Sequence, residues 1–275
     1  MVSIARWTDT HAHLADDALE NRTAEILSEC HKAGVGRVLC VGVDAASSAH
    51  AVRIAMESAS EQSGDAARDG VAVSASVGMH PNYVHLEQPG DWDSIVSWFG
   101  HPNVCALGET GLDRYWDDCP FPLQQQSFAR HWAASRETGL PVIVHSRDCD
   151  DEMLMALREE YRHGPLRGVM HSFCGSAEMA RECVAMGLYI SFSGMLTYKK
   201  NDLLRSIAAG IPLERLLVET DAPYLSPEPM RAHRPNLPSL VIHTGHVLAR
   251  CFQLSDARMA EITTENALRL FSRMR

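Results

Sequence analysis

Apolar residues along this chain fall into two kinds of stretch that alternate. Short apolar, β-branched runs predict strands at roughly 2–10, "GRVLCVGV" at 36–43, "VAVSASVGM" at 71–79 and "NVCALGE" at 103–109. The same pattern returns in "PVIVHS" at 141–146, "RGVMHSF" at 167–173, "GLYISFSG" at 187–194 and "RLLVET" at 215–220. Between them run longer amphipathic stretches: "RTAEILSECHKAG", "ASSAHAVRIAMESA", "DWDSIVSWF", "LQQQSFARHWAASRETG", "DDEMLMALREEYRHG", "SAEMARECVAMG" and "KNDLLRSIAAG". These predict helices, and many end in glycine, the residue best able to take the left-handed turn past a helix.

Eight strands alternating with helices call for parallel βαβ units. In 275 residues they fit an α/β fold of the (β/α)8 TIM-barrel type, as one domain over 1–275. A doubly wound open sheet is the alternative architecture. It is weakened because no GxGxxG follows the first strand. The stretch from about 237 to 275 reads as two closing helices, and "EQSGDAARDG" at 61–70 as a surface loop.

Composition narrows the function. The chain is 45% hydrophobic and 22% charged, with 25 Lys and Arg against 35 Asp and Glu, a formal charge of −10. That excludes a uniformly basic surface that coats nucleic acid, but not a local basic groove or a site made positive by metal ions. The start "MVSIARWTDTH" lacks the regions of a signal peptide, and no run of about 18 apolar residues spans a membrane. The eight cysteines form no CxxC pair, so reduced, mostly buried thiols in a cytoplasmic protein are expected.

Polar residues at the strand ends carry the chemistry. In "TDTHAHL" an extended backbone puts His11 and His13 on one face, which is half a metal site. Strand 4 ends in "GETGLD" with Glu109 and Asp113, and strand 5 in "VHSRD" with His145 and Arg147. Strand 6 ends in "MHSF" with His171, and strand 8 in "ETDAPYLSP" with Glu219 and Asp221. Singly, each could be a hydrogen-bonded or salt-bridged structural residue. Together they would place costly polar groups at five strand ends of one barrel mouth. Six ligands suit two ions sharing a carboxylate, about 3.5–4 Å apart. Glu109 is the natural bridge, with His11, His13 and Asp221 completing one ion and His145 and His171 the other.

The ordered motifs "DTHAHL", "VGMHP", "LGETGLD", "VIVHSRD", "MHSFCG", "SFSG" and "VETDAPYLSP" resemble the signature of the TatD family of metal-dependent deoxyribonucleases, a branch of the amidohydrolase superfamily. The resemblance runs from about residue 8 to "TTENALRLF" at 263–271. It implies a (β/α)8 barrel whose metal ligands are His11, His13, Glu109, His145, His171 and Asp221. One departure stands after strand 8. The family carries a compact Arg-Asn-x-Pro motif, whereas this chain reads "HRPNLP", with Pro235 between Arg234 and Asn236.

The resulting expectation is hydrolysis of a phosphodiester of DNA with two divalent metal ions (Mg, Mn or Zn). Asp221 and Glu109 are the catalytic candidates, Asp221 orienting water and acting as general base. Substrate-binding candidates are His80, Arg147, Arg234 and Asn236. Tyr115 and Trp116 would stack on a base or pack under the loop, and Lys199 and Lys200 would touch phosphates or remain solvated. The absence of a long basic stripe favours single-stranded DNA entering by its end, and the resemblance implies the 3′ end. A rival is another hydrolase on the same site, acting on an ester or amide such as an aminoacyl-tRNA ester. A second rival is a non-enzymatic metal-binding protein.

Overall fold

Eight parallel strands are hydrogen-bonded in chain order in the computed structural model, which describes residues 6–61 and 70–274. They are β1 Trp7–Ala12, β2 Val35–Val41, β3 Ala72–Val77, β4 Val104–Asp113, β5 Val142–Arg147, β6 Gly168–Met170, β7 Tyr189–Phe192 and β8 Leu216–Val218. The ring closes between the first and last elements. Ala12 bridges Ala222, the Asp221 amide donates to the His11 carbonyl (2.9 Å), and the His13 amide to that of Ala222 (2.7 Å). This nearly closed (β/α)8 barrel is the architecture the alternation predicts, and the open-sheet alternative falls.

The helices are α1 Thr23–Ala33, α2 Ala45–Glu61, α3 Asp91–Ser97, α4 Phe121–Thr138, α5 Asp150–Tyr161, α6 Ala177–Ala185 and α7 Asp202–Ala209. The closing pair is α8 Val241–Cys251 and α9 Asp256–Leu270. Gly34 (φ 82°) and Gly139 (φ 71°) take the left-handed turn after α1 and α4. No helix among the described residues is long and apolar enough to cross a membrane.

The pleat sorts each strand into two layers, because successive side chains point to opposite faces. Leu39, Val41, Cys105, Ile143, Val169, Tyr189 and Leu217 face inward as one buried cluster, with Leu270 at the end of α9 and Phe271 and Met274 just past it. Arg273 donates to the carbonyls of Phe99 and Val104, so α9 ends beneath the strand starts and plugs that end of the barrel. The alternate residues Val38, Cys40, Val142, Val144, Ile190 and Val218 pack outward with Ile26, Met153, Cys183 and Leu248 of the helices. The parity that turns Ile143, Val169 and Leu217 inward also turns in His145, His171 and Glu219, two residues on, at the opposite end.

The strand ends differ from expectation in informative ways. Strand β4 runs four residues past 109, so Glu109 lies inside it and Asp113 at its end. The glycines of "GETG" permit a close approach within the strand. A Cβ on Gly111 (φ 153°) would sit 1.9 Å from the His145 carbonyl oxygen, and the β4–β5 register shifts between Leu107 and Thr110. Conversely β6 leaves the ladder at His171, ahead of Ser172 at φ 44°. Residues 2–5 of the predicted first strand, and 62–69 of the predicted surface loop, lie outside the described residues.

Candidate metal centre

Glu109 is buried at the centre of the mouth, and its two carboxylate oxygens face different partners. Oε2 lies 3.2 Å from His11 Nε2 and 3.7 Å from His13 Nε2. Oε1 lies 2.8 Å from His171 Nε2, 2.9 Å from His145 Nδ1 and 3.5 Å from His80 Nε2. Asp221 joins the first group, its Oδ1 being 3.4 Å from His13 Nε2 and 3.7 Å from His11 Nε2. It sits at φ 57°, a left-handed conformation uncommon outside glycine and tolerated best by Asp and Asn.

A second rank of groups orients these rings. Asp113 Oδ2 lies 2.9 Å from His145 Nε2, which leaves Nδ1 aimed at Glu109. Glu219 Oε1 lies 3.2 Å from His171 Nδ1 and accepts the Ser172 amide (2.5 Å), leaving Nε2 toward the centre. Asp9 is fully buried beneath His11. It accepts from the His11 amide and from the amide and hydroxyl of Thr220, stitching β1 to the end of β8. His131 on α4 accepts the Met79 amide at Nε2 (3.1 Å) and donates from Nδ1 to the Ser127 carbonyl (2.7 Å). That fixes the residue before His80.

The electrostatics follow from this crowding. Burial acts to raise the Glu109 carboxyl, but His171, His80 and His11 outweigh it and hold it well below the carboxylate range. Burial likewise opposes protonation of His171, yet Glu109 and Glu219 push it well above an ordinary imidazole. His145 is raised by Asp113 and Glu109 against its burial, and His13 by Asp221 and Glu109. His11 is lowered, by burial and then by His171. Burial lowers His80 to about 3. It raises Asp9 to about 8, which fits a structural carboxyl.

The donor set fits divalent cations. Imidazole nitrogens approach one another to 3.2 Å (His11 Nε2 to His13 Nε2) and 3.4 Å (His171 Nε2 to His145 Nδ1). Such convergence of nitrogen lone pairs and carboxylates around a shared centre is what a metal site requires. The set His11, His13, Glu109 places its donor atoms within 4.8 Å of one another; His80, Glu109 and His145 lie as close, but His80 Nδ1 accepts the Asn82 amide, so its Nε2 carries a proton and is no cation donor. A third set replaces Glu109 by Glu219, beside His11 and His171. Its carboxylate is already engaged by the Ser172 amide and His171 Nδ1, so it reads as a support for His171.

All six expected ligands are brought together, and His80 joins them. The other substrate-binding candidates scatter. Arg147 is exposed at the rim, its guanidinium 3.6 Å above the Tyr115 ring. Tyr115 and Trp116 remain half exposed as an edge-to-face pair, rather than packed beneath the loop. Arg234 is exposed on the connection after β8, and Lys199 and Lys200 are exposed after β7. Asn236 departs from expectation. It is wholly buried, donating to the carbonyls of Thr220 (3.0 Å) and Tyr224 (2.5 Å) and accepting the Leu237 amide. With its amide so committed, it braces the loop that carries Asp221 and has no free group to offer a substrate.

Sequence reading did not give Asp113, Glu219, Asp9 and His131 their orienting parts. For Glu219 a signal existed, since it lies two residues before Asp221 and shares its face. For His131, midway along an amphipathic helix, there was none.

Residues 8–272 match the family model described as TatD related DNase. The chain is 36% identical over 263 residues to the uncharacterized metal-dependent hydrolase YabD of Bacillus subtilis, covering 96% of this chain and 98% of that protein. It is 34% identical to the uncharacterized metal-dependent hydrolase TatD of Mycobacterium tuberculosis, covering 96% and 97%. Among solved structures, the TatD homologue YjjV of Escherichia coli superposes with a TM-score of 0.85 at 27% identity, over 98% of this chain and 99% of that one. Matched along its whole barrel, with the metal-binding groups in place at the mouth, the chain belongs to the TatD family of metal-dependent hydrolases.

Proposed function

We propose that this protein hydrolyses phosphodiester bonds of DNA, removing nucleotides stepwise from the 3′ end of single strands with two divalent cations. The observation that carries the reading is the division of Glu109 between the His11–His13–Asp221 group and the His145–His171 group. Divalent cations held by these residues would supply Lewis acidity toward a phosphoryl group and lower the pKa of bound water. The protein's own groups do the rest. Asp221 is the carboxylate nearest solvent in the cluster, its side chain 14% exposed. It is placed to orient the attacking water and take its proton.

His80 is neutral, and its Nδ1 accepts the Asn82 amide (3.1 Å), so the proton sits on Nε2, the nitrogen that faces the site. It donates a hydrogen bond to a phosphate oxygen without competing for a cation. Arg147 and Arg234 at the rim neutralise the backbone. The exposed faces of Tyr115 and Trp116 stack on unpaired bases. A paired duplex cannot offer its bases to such a rim.

Matched oligonucleotides labelled at either end, single- and double-stranded, test this reading with Mg, Mn or Zn supplied. A ladder shortening from the 3′ end of single strands is expected. Equal internal cutting of both forms would refute the exonuclease reading. No cleavage with any of the metals, alongside turnover of esters or amides, would assign the site to the rival hydrolase class.

A further inference from the structure

A cavity of about 390 Å³ opens on the flank of the barrel, where the β7–α7 connection meets α8. Its wall is Thr197, Lys199, Arg205, Val247, Arg250 and Cys251, three cations and no carboxylate. Arg205 is held rigidly. It donates to the carbonyls of Leu196 (2.9 Å) and Tyr198 (2.8 Å) and pairs with Asp202, which is outside the wall and almost wholly exposed. Lys199 and Arg250 form no ion pair with a carboxylate among the described residues. Elsewhere Arg114, Arg130, Arg136, Arg158 and Arg258 are each paired with a glutamate. In a chain of net charge −10, three cations around one recess with no carboxylate in its wall make a local basic spot.

The connection that lines the recess is tied to the loop that follows β8. The Thr197 hydroxyl accepts the Glu228 amide (2.7 Å), joining the β7 connection to the loop after β8. The next residue, Tyr198, lies under the Arg231 guanidinium (3.8 Å to the ring) and within electrostatic range of Arg234 and Asp221. Arg231 and Arg234 also lack carboxylate partners among the described residues. Basic residues, Arg234 and Arg231 after β8 and Lys199 beside Tyr198, therefore occupy the two connections between Asp221 and the recess.

The geometry points to this cavity as a subsite for a backbone phosphate of the bound strand, away from the bond being cut. The assignment rests on the nuclease reading above. Lys199 and Arg250 supply charge to a group that carries one negative charge per nucleotide, and the rigid Arg205 shapes the cavity. The net charge of −10 over the whole chain disfavours the strand at faces without such a basic recess.

The test uses the full chain and a single-stranded phosphorothioate oligonucleotide, which resists cleavage. Binding is followed by fluorescence anisotropy across a potassium chloride series. K199Q and R250Q should each weaken binding several-fold at low salt and reduce the slope of log Kd against log salt by about 0.7, the value for one phosphate contact on a single strand. R53Q, an exposed arginine on α2, controls for net charge. A second readout is alkylation of Cys251, the half-buried thiol in the wall, by iodoacetamide, quantified by peptide mass spectrometry. The oligonucleotide should protect Cys251. Protection by inorganic phosphate but not by the oligonucleotide would overturn the strand assignment. Unchanged slopes with no protection, in a protein that still cleaves single strands, would overturn the subsite while leaving the nuclease reading intact. Failure of the wild type to bind or cut any oligonucleotide would overturn both.

Discussion

His171 Nε2 lies 2.8 Å from Glu109 Oε1, the shortest contact between an imidazole and the central carboxylate. Glu109 holds this ring from the front while Glu219 holds it from behind, so one imidazole is shared by two buried carboxylates. The contact shows how the mouth is organised. Glu109 is the hub, and each histidine around it has one nitrogen aimed inward and, at His145 and His171, the other fixed by a carboxylate.

Glu109→Gln should therefore abolish most activity, by about 10²-fold or more, because an amide cannot serve two cations as a carboxylate does. The same variant should lose metal from both positions. Equilibrium dialysis with elemental analysis, beside activity, checks this. Near-normal turnover with an unchanged metal content would contradict the hub assignment.

Asp113→Asn and Glu219→Gln test the supports. Each keeps the shape of its side chain but weakens the hold on His145 or His171, and loss of such a partner typically costs about 10–100-fold in metal affinity. Metal titrations should show this loss with the circular dichroism of the fold preserved. An effect on stability alone, with affinity intact, would make these carboxylates ordinary structural groups.

Metal binding should release protons at neutral pH. Glu109 and Glu219 push His171 well above an ordinary imidazole against its burial, and His145 and His13 are raised too. A cation needs the bare nitrogens, so it must displace those protons. Apparent affinity should rise with pH through neutrality, up to tenfold per pH unit for each proton displaced. Calorimetry of metal binding in buffers of different ionisation enthalpy counts the protons. Zero release at pH 7 would refute the account.

His131 predicts an acid limb of stability. Burial pushes it down to about 4, against about 6.5 in the unfolded chain. Below pH 6.5 the unfolded chain takes up a proton that the folded chain refuses until about pH 4, so stability falls across that window by ~3 kcal/mol. Above pH 6.5 neither state holds the proton and the contribution is flat. His131→Gln should flatten the dependence between pH 6.5 and 4, measured by urea unfolding in chelator. An unchanged slope would show that His131 titrates normally.

The sequence made the barrel and its ligands legible for one physical reason. Strand periodicity and strand-end chemistry are local signals, and in a parallel barrel all strand ends meet. His11, His13, His145 and His171 could be read because each follows an apolar run whose pleat fixes its face. Other features depend on packing that no short window contains. The need for glycine at 111 is one, because only the carbonyl of His145 across the ladder shows it. Asn236 looked like a substrate ligand through the family resemblance, although Pro235 separates it from Arg234 where the family motif sets the two side by side. Its burial against Thr220 and Tyr224 depends on a loop path that the inserted Pro235 does not reveal.

Element-specific anomalous scattering from crystals grown with Mn or Zn tests the central claim most directly. Two peaks about 3.5–4 Å apart are predicted, one beside His11, His13 and Asp221, the other beside His145 and His171, with Glu109 between them. A single peak, or a pair in which Glu219 rather than Glu109 is the shared carboxylate, would contradict the account.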